Sequence, residues 1–325
     1  MYEGKSVVLV IPCHNEERQI GKVLRGIPEF VDSVIVVDDA STDDTVEIVR
    51  RYAEEAEDGR LTLLRRDGNG GPGAAVSTGY AEALRQGMDV TAVMDGDAQM
   101  DPTDLERLVG PVARGETDYA KGNRLFYRGA WETIPRLRYL GNAILSMLTK
   151  VASGYWHMAD SQSGYTAISE GALRTVDFKS LIGGWAYTND LLVRLNVYNM
   201  RVMDVPVRPI YDVGEDSHMR IWKVALTMPW CLLRLFVSRM WQKYVIHDFH
   251  PLVLFYLVAA VLGLVGAGLL VRLLVLWADT GYIMPMNALL WVFCTVSSTQ
   301  FALFAMWFDM DFNRELCIPA RYQDQ

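Results

Sequence analysis

The chain has 325 residues, 51% of them hydrophobic and 22% charged, with a formal net charge of −8. That length and composition suit one large or two modest domains with a substantial core. The acidic balance argues against a nucleic-acid binder, which would carry a basic stripe. The four cysteines, Cys13, Cys231, Cys294 and Cys317, show no metal-type spacing and read as reduced thiols in a cytosolic compartment.

Ser6 to Pro12 is predicted as the first strand. Its apolar run is too short for a signal-peptide core and passes straight into polar residues, so the N-terminal part is expected in the cytosol. Glu16 to Ile27 has helical spacing at Ile20, Val23, Leu24 and Ile27. Ser33 to Val37 is a second strand, and Ser41 or Asp43 can cap a helix running through Val46, Val49 and Tyr52. Leu61 to Leu64 is a third strand; a glycine-rich turn, Gly68 to Gly73, leads into a helix over Ala74 to Leu84. Val90 to Met94 is a fourth strand, and Pro102 opens the next helix where its missing N–H does no harm. Strands and helices alternating over short connections predict an α/β domain with a mostly parallel, doubly wound, Rossmann-like sheet.

Tyr119 to Asn123 reads as another strand, and Arg136 to Tyr155 as an amphipathic helix with Leu137, Leu140, Ile144, Leu148 and Val151 on one face. Asp160 to Ile168 and Arg201 to Val205 look extended, around a helix over Asn189 to Tyr198. Then the composition changes. Leu252 to Trp277, broken by one charge at Arg272, and Met284 to Phe308 are each long enough for the roughly 20 residues of a membrane helix. A short link makes them a hairpin. Before it lie Arg220, Lys223, Arg234, Arg239 and Lys243, interleaved with Trp222, Trp230, Trp241 and Tyr244. This predicts a basic, aromatic-rich helix, bent at Pro229, on the inner membrane surface. The link carries only Asp279, so the positive-inside rule puts both termini in the cytosol. Arg272, near the outer end of its span, can snorkel.

The chemistry gathers at three strand ends. Val93 to Met100 carries Asp95 and Asp97 one residue apart. On an extended backbone both would point to one side, at the strand ends where ligands sit in open α/β sheets. Two hard oxygen ligands there suit a divalent cation that keeps waters and grips phosphates. Alone, the pair also describes a solvated turn. Ile11 to Glu17 ends the first strand and Val36 to Asp43 the second; each could be a helix-capping turn, but together they put polar groups along one sheet edge.

With these motifs the chain resembles the inverting nucleotide-sugar glycosyltransferases of the GT-A fold. More narrowly it is similar to the branch acting on polyprenyl phosphates, of the dolichyl-phosphate mannose synthase and undecaprenyl-phosphate glucosyltransferase type. The matching motifs are P-x-x-N-E (Pro12 to Glu16), V-D-D-x-S-x-D (Val37 to Asp43), D-x-D-x-Q (Asp95 to Gln99), G-N-R (Gly122 to Arg124) and D-S-Q-S-G-Y (Asp160 to Tyr165). The resemblance covers Val7 to about Ser217 and the hairpin. It implies a cytosolic GT-A domain over 1–217, amphipathic juxtamembrane helices over 218–250, a transmembrane hairpin over 251–308 (about 251–277 and 284–308) and a cytosolic tail over 309–325.

The resemblance further implies that Pro12, His14 and Glu16 line the nucleotide pocket of a UDP- or GDP-sugar, and that Val37 and Asp39 hold base and ribose. Asp95 and Gly96 would border ribose and diphosphate, and Asp97 and Gln99 would hold Mg²⁺ or Mn²⁺ against the diphosphate. Arg124, Arg138 and Arg208 would gather round the acceptor phosphate, with a plain surface charge the alternative for Arg208. Ser217 would close the site. Asp160 matches a position such enzymes need, with no role assigned. The acceptor would be a polyprenyl monophosphate, largely dianionic at neutral pH because its second pKa is about 6. It is its own nucleophile, and in-line attack would give a β-linked lipid phospho-sugar. Leu140, Ile144 and Leu148 would face lipid or the interface helix, with Arg138 toward the phosphate. Relatives of this kind also suggest a homo-oligomer.

One departure stands out. The family's glycine-rich turn carries a basic residue where this chain has Pro72. Gly68, Gly70 and Gly73 also fit G-x-G-x-x-G, so a dinucleotide site is a competing reading, weakened by its place after the third strand. Three other readings compete. A processive polysaccharide synthase would need a Q-x-x-R-W motif. An Asp-nucleophile phosphotransferase would carry its motif on the first strand. A membrane-tethered nucleotide-sugar-binding protein would need no chemistry at Asp97.

Overall fold

The computed structural model describes residues 1–56, 59–125, 136–208, 210 and 221–318, with the side chains of 136–140, 142 and 221–226 outside that description. The chain divides into two compact units, residues 1–236 with 315–325, and residues 237–314.

The first unit is built on one sheet. Its elements in chain order are β1 (Val7–Cys13), α1 (Ile20–Arg25), β2 (Ser33–Asp38), α2 (Thr45–Ala56), β3 (Leu61–Arg65), α3 (Pro72–Gln86), β4 (Val90–Val93), α4 (Leu105–Ala113), β5 (Tyr119–Asn123), α5 (Arg136–Ser153), β6 (Thr166–Ser169), α6 (Glu170–Thr175), α7 (Tyr187–Val197) and β7 (Val202–Pro206). They are followed by α8 (Ile221–Trp241), α9 (Leu252–Thr280), α10 (Pro285–Phe312) and β8 (Cys317–Ile318). The strand order is β3-β2-β1-β4-β6-β5-β7-β8. β3, β2, β1 and β4 run parallel, β6 is antiparallel to both its neighbours, and β5, β7 and β8 are parallel again. β1 is buried at every position, as a parallel strand covered on both faces must be. Its alternate residues feed two cores. Val7, Leu9 and Ile11 pack with Ile20, Val23 and Leu24 of α1 and Leu105 and Leu108 of α4. Val8 and Val10 pack with Val76 and Tyr80 of α3 and Leu191 and Leu195 of α7.

Three expectations change. β4 stops at Val93, so Asp95 and Asp97 do not alternate along a strand; they lie in a turn that ends with Ala98 at φ 58°. Of the stretch Asp160 to Ile168, only Thr166 onward pairs as a strand, and the preceding residues form a loop. The segment after the hairpin returns to the sheet: Cys317 and Ile318 pair with Val202 and Met203.

The second unit holds the hairpin. α9 and α10 are long and apolar enough to cross a membrane, and in their most apolar windows only 17% and 11% of the residues are buried within the chain. Core helices of a soluble protein would be mostly buried. The two helices approach closely at small residues: Ser298 Oγ donates to the Ala259 carbonyl at 2.7 Å, and a Cβ on Gly263 would stand 3.0 Å from Ser298 Oγ. Such contacts are characteristic of helix pairs in lipid.

The expected basic interface helix is only partly that. Trp230, Leu233, Val237 and Trp241 are exposed, but Arg239 and Lys243 are buried. Arg239 grips Asp309 of α10 with two bonds of 2.8 Å, Tyr244 Oη donates to the same carboxylate at 2.6 Å, and Lys243 Nζ donates to Asn313 Oδ1 at 2.7 Å. These two cations are therefore spent inside the unit. Replacing Asp309 by alanine leaves a buried guanidinium uncompensated, which costs about 3–5 kcal/mol. We expect Asp309→Ala to lower the unfolding midpoint of the purified protein by several degrees, while Asp309→Ala combined with Arg239→Met recovers much of it.

Candidate active site

The ends of β1, β2 and β4 lie side by side, and their loops are stitched together by short polar side chains. The Gly96 N–H donates to the Pro12 carbonyl at 3.1 Å, and a Cβ at Gly96 would stand 3.0 Å from Cys13 Cβ, so this position takes glycine because two strand ends touch there. Asn15, at φ 58°, accepts from Thr42 N–H at 2.8 Å and donates its own N–H to Ser41 Oγ at 2.9 Å. The Glu16 N–H reaches Thr45 Oγ1 at 2.8 Å. His14 Nδ1 lies 2.8 Å from the Asp39 carbonyl, while its Nε2 faces the amides of Asn15 and Asn69 at 3.2 and 3.1 Å. These partners assign the ring as an Nδ1 donor and Nε2 acceptor. Pro12 and Val37 are buried in the floor, with His14 and Glu16 half-buried above.

Asp39 is buried, and its carboxylate organises the glycine-rich turn. It accepts from the Gly70 and Gly71 N–H groups, the latter at 2.7 Å, and is paired with Arg66. The two amides that a dinucleotide pyrophosphate would use are therefore committed to Asp39, which removes the physical basis for a G-x-G-x-x-G phosphate cradle. The glycines serve close packing instead: Gly71 has φ 83°, and a Cβ on it would stand 2.8 Å from the Gly183 carbonyl. Pro72 is the first residue of α3, where proline's fixed φ suits a helix start. Arg66, paired with Asp39, lies against Gly70 of the same turn.

In the β4 turn, Asp97 Oδ1 accepts the Gln99 N–H at 2.9 Å, and the left-handed Ala98 swings the chain back so that Gln99 follows on the same loop. The Ile210 N–H donates to the Gln99 carbonyl at 3.0 Å, and the Arg208 N–H to Asp104 at 2.7 Å. The exit of β7 thus brings Arg208, whose side chain is exposed, alongside this turn. Among the described residues no group of three His, Cys, Asp or Glu side chains could enclose a metal by itself. A carboxylate and an amide oxygen on one tight turn are nonetheless hard ligands of the kind Mg²⁺ or Mn²⁺ takes when diphosphate oxygens and waters complete its shell. The residues fit such a cation only together with its substrate.

A second cluster adjoins this one. Arg124 donates to Asp160 through its backbone N–H (3.2 Å), Nε (2.7 Å) and Nη2 (3.1 Å). Burial pushes the Asp160 carboxyl up, but Arg124 and Lys121 outweigh it and hold the pKa below its ordinary value. Asp160 is thus the fixed anion that aims the Arg124 fork. Lys121, wholly buried, donates to the Ser163 carbonyl; burial pulls its pKa down to about 8. A Cβ at Gly164 would stand 3.1 Å from both Asp95 Oδ2 and Tyr187 Oη, so the 160–164 loop lies directly against Asp95. Burial, then the Asp95 charge, raise the Tyr187 phenol well above its usual range, leaving it a hydroxyl donor.

Asp204, on β7, shows the opposite shift to Asp160. Burial pushes its carboxyl up to about 7, against the favourable Ala159 N–H. The folded chain then holds a proton that an unfolded aspartate, with a pKa near 4, would release. The stability contributed by this proton is full in acid and is lost as pH rises from about 4 through about 7, at up to about 1.4 kcal/mol per pH unit. We expect Asp204→Asn to flatten this slope, seen as a smaller difference in unfolding midpoint between pH 5 and pH 7.5 than the wild type shows.

Of the expected site residues, Pro12, His14, Glu16, Val37, Asp39, Asp95, Gly96, Asp97 and Gln99 gather at adjoining strand ends. Arg124 and Asp160 pair beside them. The side chain of Arg138 and all of Ser217 lie outside the described residues. Arg66, Lys121, Tyr187 and Asp204 were not singled out from the sequence. Lys121, directly before G-N-R, and Asp204, a lone acid in an apolar strand, were the two that carried a signal.

Comparison with known proteins agrees with this geometry. The description "Glycosyl transferase family 2" matches residues 8–176. A UDP-N-acetylglucosamine–dolichyl-phosphate N-acetylglucosaminyltransferase of Methanococcus voltae is 28% identical over 64% of this chain and 86% of its own. An undecaprenyl-phosphate mannosyltransferase of Micrococcus luteus is 29% identical over 65% of this chain and 86% of its own. Among solved structures, glucosyl-3-phosphoglycerate synthase from Mycobacterium tuberculosis, in a complex with Mn²⁺ and UDP, superposes with a TM-score of 0.54 at 21% identity, covering 73% of this chain and 78% of that one. That likeness shows a GT-A-like fold. With strand ends, carboxylate turn and fold in agreement, the chain belongs to glycosyl transferase family 2 and is a glycosyltransferase.

Proposed function

We propose that the protein transfers a sugar from a nucleotide diphospho-sugar to a polyprenyl monophosphate, with inversion at the anomeric carbon. The observation that carries this reading is the Arg124–Asp160 pair beside the Asp95–Asp97 turn. A planar cation held by two side-chain bonds to a buried carboxylate suits a phosphate acceptor. Both relatives above bear the names of enzymes that use polyprenyl or dolichyl phosphate.

In this reading His14, Glu16 and Val37 line the nucleoside end, Asp39 and Arg66 fix the turn beside it, and Asp95 and Gly96 border ribose and diphosphate. Asp97 and Gln99 would hold Mg²⁺ or Mn²⁺, which neutralises the charge that grows on the departing diphosphate. Arg124 orients the acceptor phosphate, with Arg208, Arg138 and Ser217 as further contacts. The attacking phosphate oxygen is already ionised, so no side chain of this chain needs to remove a proton. The α9–α10 hairpin anchors the enzyme beside a lipid whose tail leaves the bilayer only at about 0.8 kcal/mol per buried CH₂. The catalytic unit and both ends of the hairpin then face the cytosol.

A screen of UDP- and GDP-sugars with purified protein, polyprenyl phosphate and Mn²⁺ tests the reading. Transfer from one donor class, abolished by chelation and restored by added Mg²⁺ or Mn²⁺, is expected. Hydrolysis or binding of the donor without a lipid product contradicts it.

A further inference from the structure

The loop that carries Asp160 is held at both ends by a pair of buried ionisable side chains on neighbouring strands. Lys121 of β5 and Asp204 of β7 are register partners in the parallel pairing of those strands. Both are buried in the sheet's own layer. Asp204 Oδ2 accepts the Ala159 N–H at 2.7 Å, one residue before Asp160, and Asn123 Nδ2 at 2.8 Å, one residue before Arg124. Lys121 donates to the Ser163 carbonyl, three residues after Asp160. Between these anchors Asp160 makes its three bonds to Arg124.

A buried lysine and a buried aspartate are costly, and two apolar residues of similar volume would pack a sheet at least as stably. Their polar atoms are spent on the backbone of one loop and on the residue preceding Arg124. Asp204 Oδ1 has no hydrogen-bond partner among the described residues, so this carboxylate is tolerated there despite an unmet need. From this geometry we propose that Lys121 and Asp204 are positioning residues, which act through the 159–163 loop and Asn123 to set the Arg124 fork for the acceptor phosphate. The inference rests on the function proposed above and adds the device that fixes its acceptor site. Asp204 meets the loop at its far end, at Ala159, whereas Lys121 meets it at Ser163, beside the Gly164 that lies against Asp95, and feels the Asp95 charge.

The hydrogen-bonding pattern supplies its own control. Both bonds to Asp204 go to one oxygen, Oδ2. An asparagine whose amide oxygen occupies that place keeps both bonds and removes only the titrating carboxyl, whereas alanine loses both bonds. The test compares full-length wild type, Asp204→Asn, Asp204→Ala and Lys121→Met in detergent micelles. Two quantities are read: KM for undecaprenyl phosphate, and Kd for the nucleoside diphosphate released by the active donor, with Mn²⁺. Asp204→Ala and Lys121→Met are expected to raise the acceptor KM about tenfold or more, since a shift on the order of 1 Å in a positioning group is costly. In Asp204→Ala the nucleoside diphosphate Kd should stay within about twofold, a margin well below that penalty, which also reports that the protein is folded. Asp204→Asn should restore an acceptor KM near the wild-type value. An unchanged acceptor KM in Asp204→Ala, an equal loss of nucleotide affinity, or an asparagine variant as impaired as the alanine one would each overturn the inference. A wild-type protein that transfers nothing to undecaprenyl phosphate sinks the proposed function itself, a result distinct from these three.

Discussion

Alanine in place of Asp97 is expected to lower the turnover of sugar transfer by about 10²–10³-fold or more, the usual penalty for removing a group that stabilises charge in the transition state. Asp97 has two separable duties. Its Oδ1 accepts the Gln99 N–H at 2.9 Å, which shapes the turn, and in the proposed function its charge would help to hold a divalent cation. Asp97→Asn keeps an oxygen for Gln99 and discards the charge. If the charge carries the effect by holding the cation, asparagine and alanine are impaired alike and both recover in part as Mn²⁺ is raised. If only the turn matters, asparagine stays near wild type. Rates measured across a Mn²⁺ titration distinguish the two, and they also test the tethered-binding-protein reading, in which Asp97→Ala leaves function intact.

Substitutions at Arg124 should separate stability from acceptor recognition. Asp160 is 1% exposed and takes three hydrogen bonds from Arg124, two of them from the side chain. Arg124→Ala strips the main partner from a buried carboxylate, and breaking such a pair costs about 3–5 kcal/mol. A lower unfolding midpoint is therefore expected together with the loss of activity. Arg124→Lys retains a cation within reach of Asp160 but not the planar fork. Its unfolding midpoint should fall by less than half as much as that of the alanine variant. Its KM for polyprenyl phosphate should still rise about 10–100-fold, the range of one or two strong charge-assisted hydrogen bonds. Equal effects of the two variants on midpoint, with no change in KM for the lysine variant, would make Arg124 a purely structural residue.

Much of this architecture was legible in the sequence because the elements are strongly patterned. The run Val7 to Pro12, with no polar residue, could only be a covered strand. The two long apolar runs read as membrane spans from their length, and both form helices long and apolar enough to cross a membrane. The D-x-D-x-Q, G-N-R and D-S-Q-S-G-Y motifs marked the site through family resemblance. Less legible was whatever depended on contacts between segments distant in sequence. The reversal of β6, which places the 160–164 loop against Asp95, follows from pairing between β4 and β6 and not from local propensity. Asp39 was expected to hold base and ribose, and its place under the Gly70 and Gly71 amides depends on a loop some 30 residues away. Arg239 and Lys243 read as membrane-facing cations because their partners, Asp309 and Asn313, lie 70 positions further on. Lys121 was passed over for the same reason: a lysine in a strand suggests an exposed face until the loop that covers it is known.

The claim on which the rest turns is that the acceptor is a lipid monophosphate already ionised for attack, gripped by arginine. The most direct measurement compares initial transfer rates with undecaprenyl phosphate and undecaprenol in the same micelles, using the preferred nucleotide sugar and Mn²⁺. Transfer to the phosphate alone, lost in Arg124→Ala, is the expected result. Comparable transfer to the free alcohol, or transfer to the phosphate that is indifferent to Arg124, would contradict it.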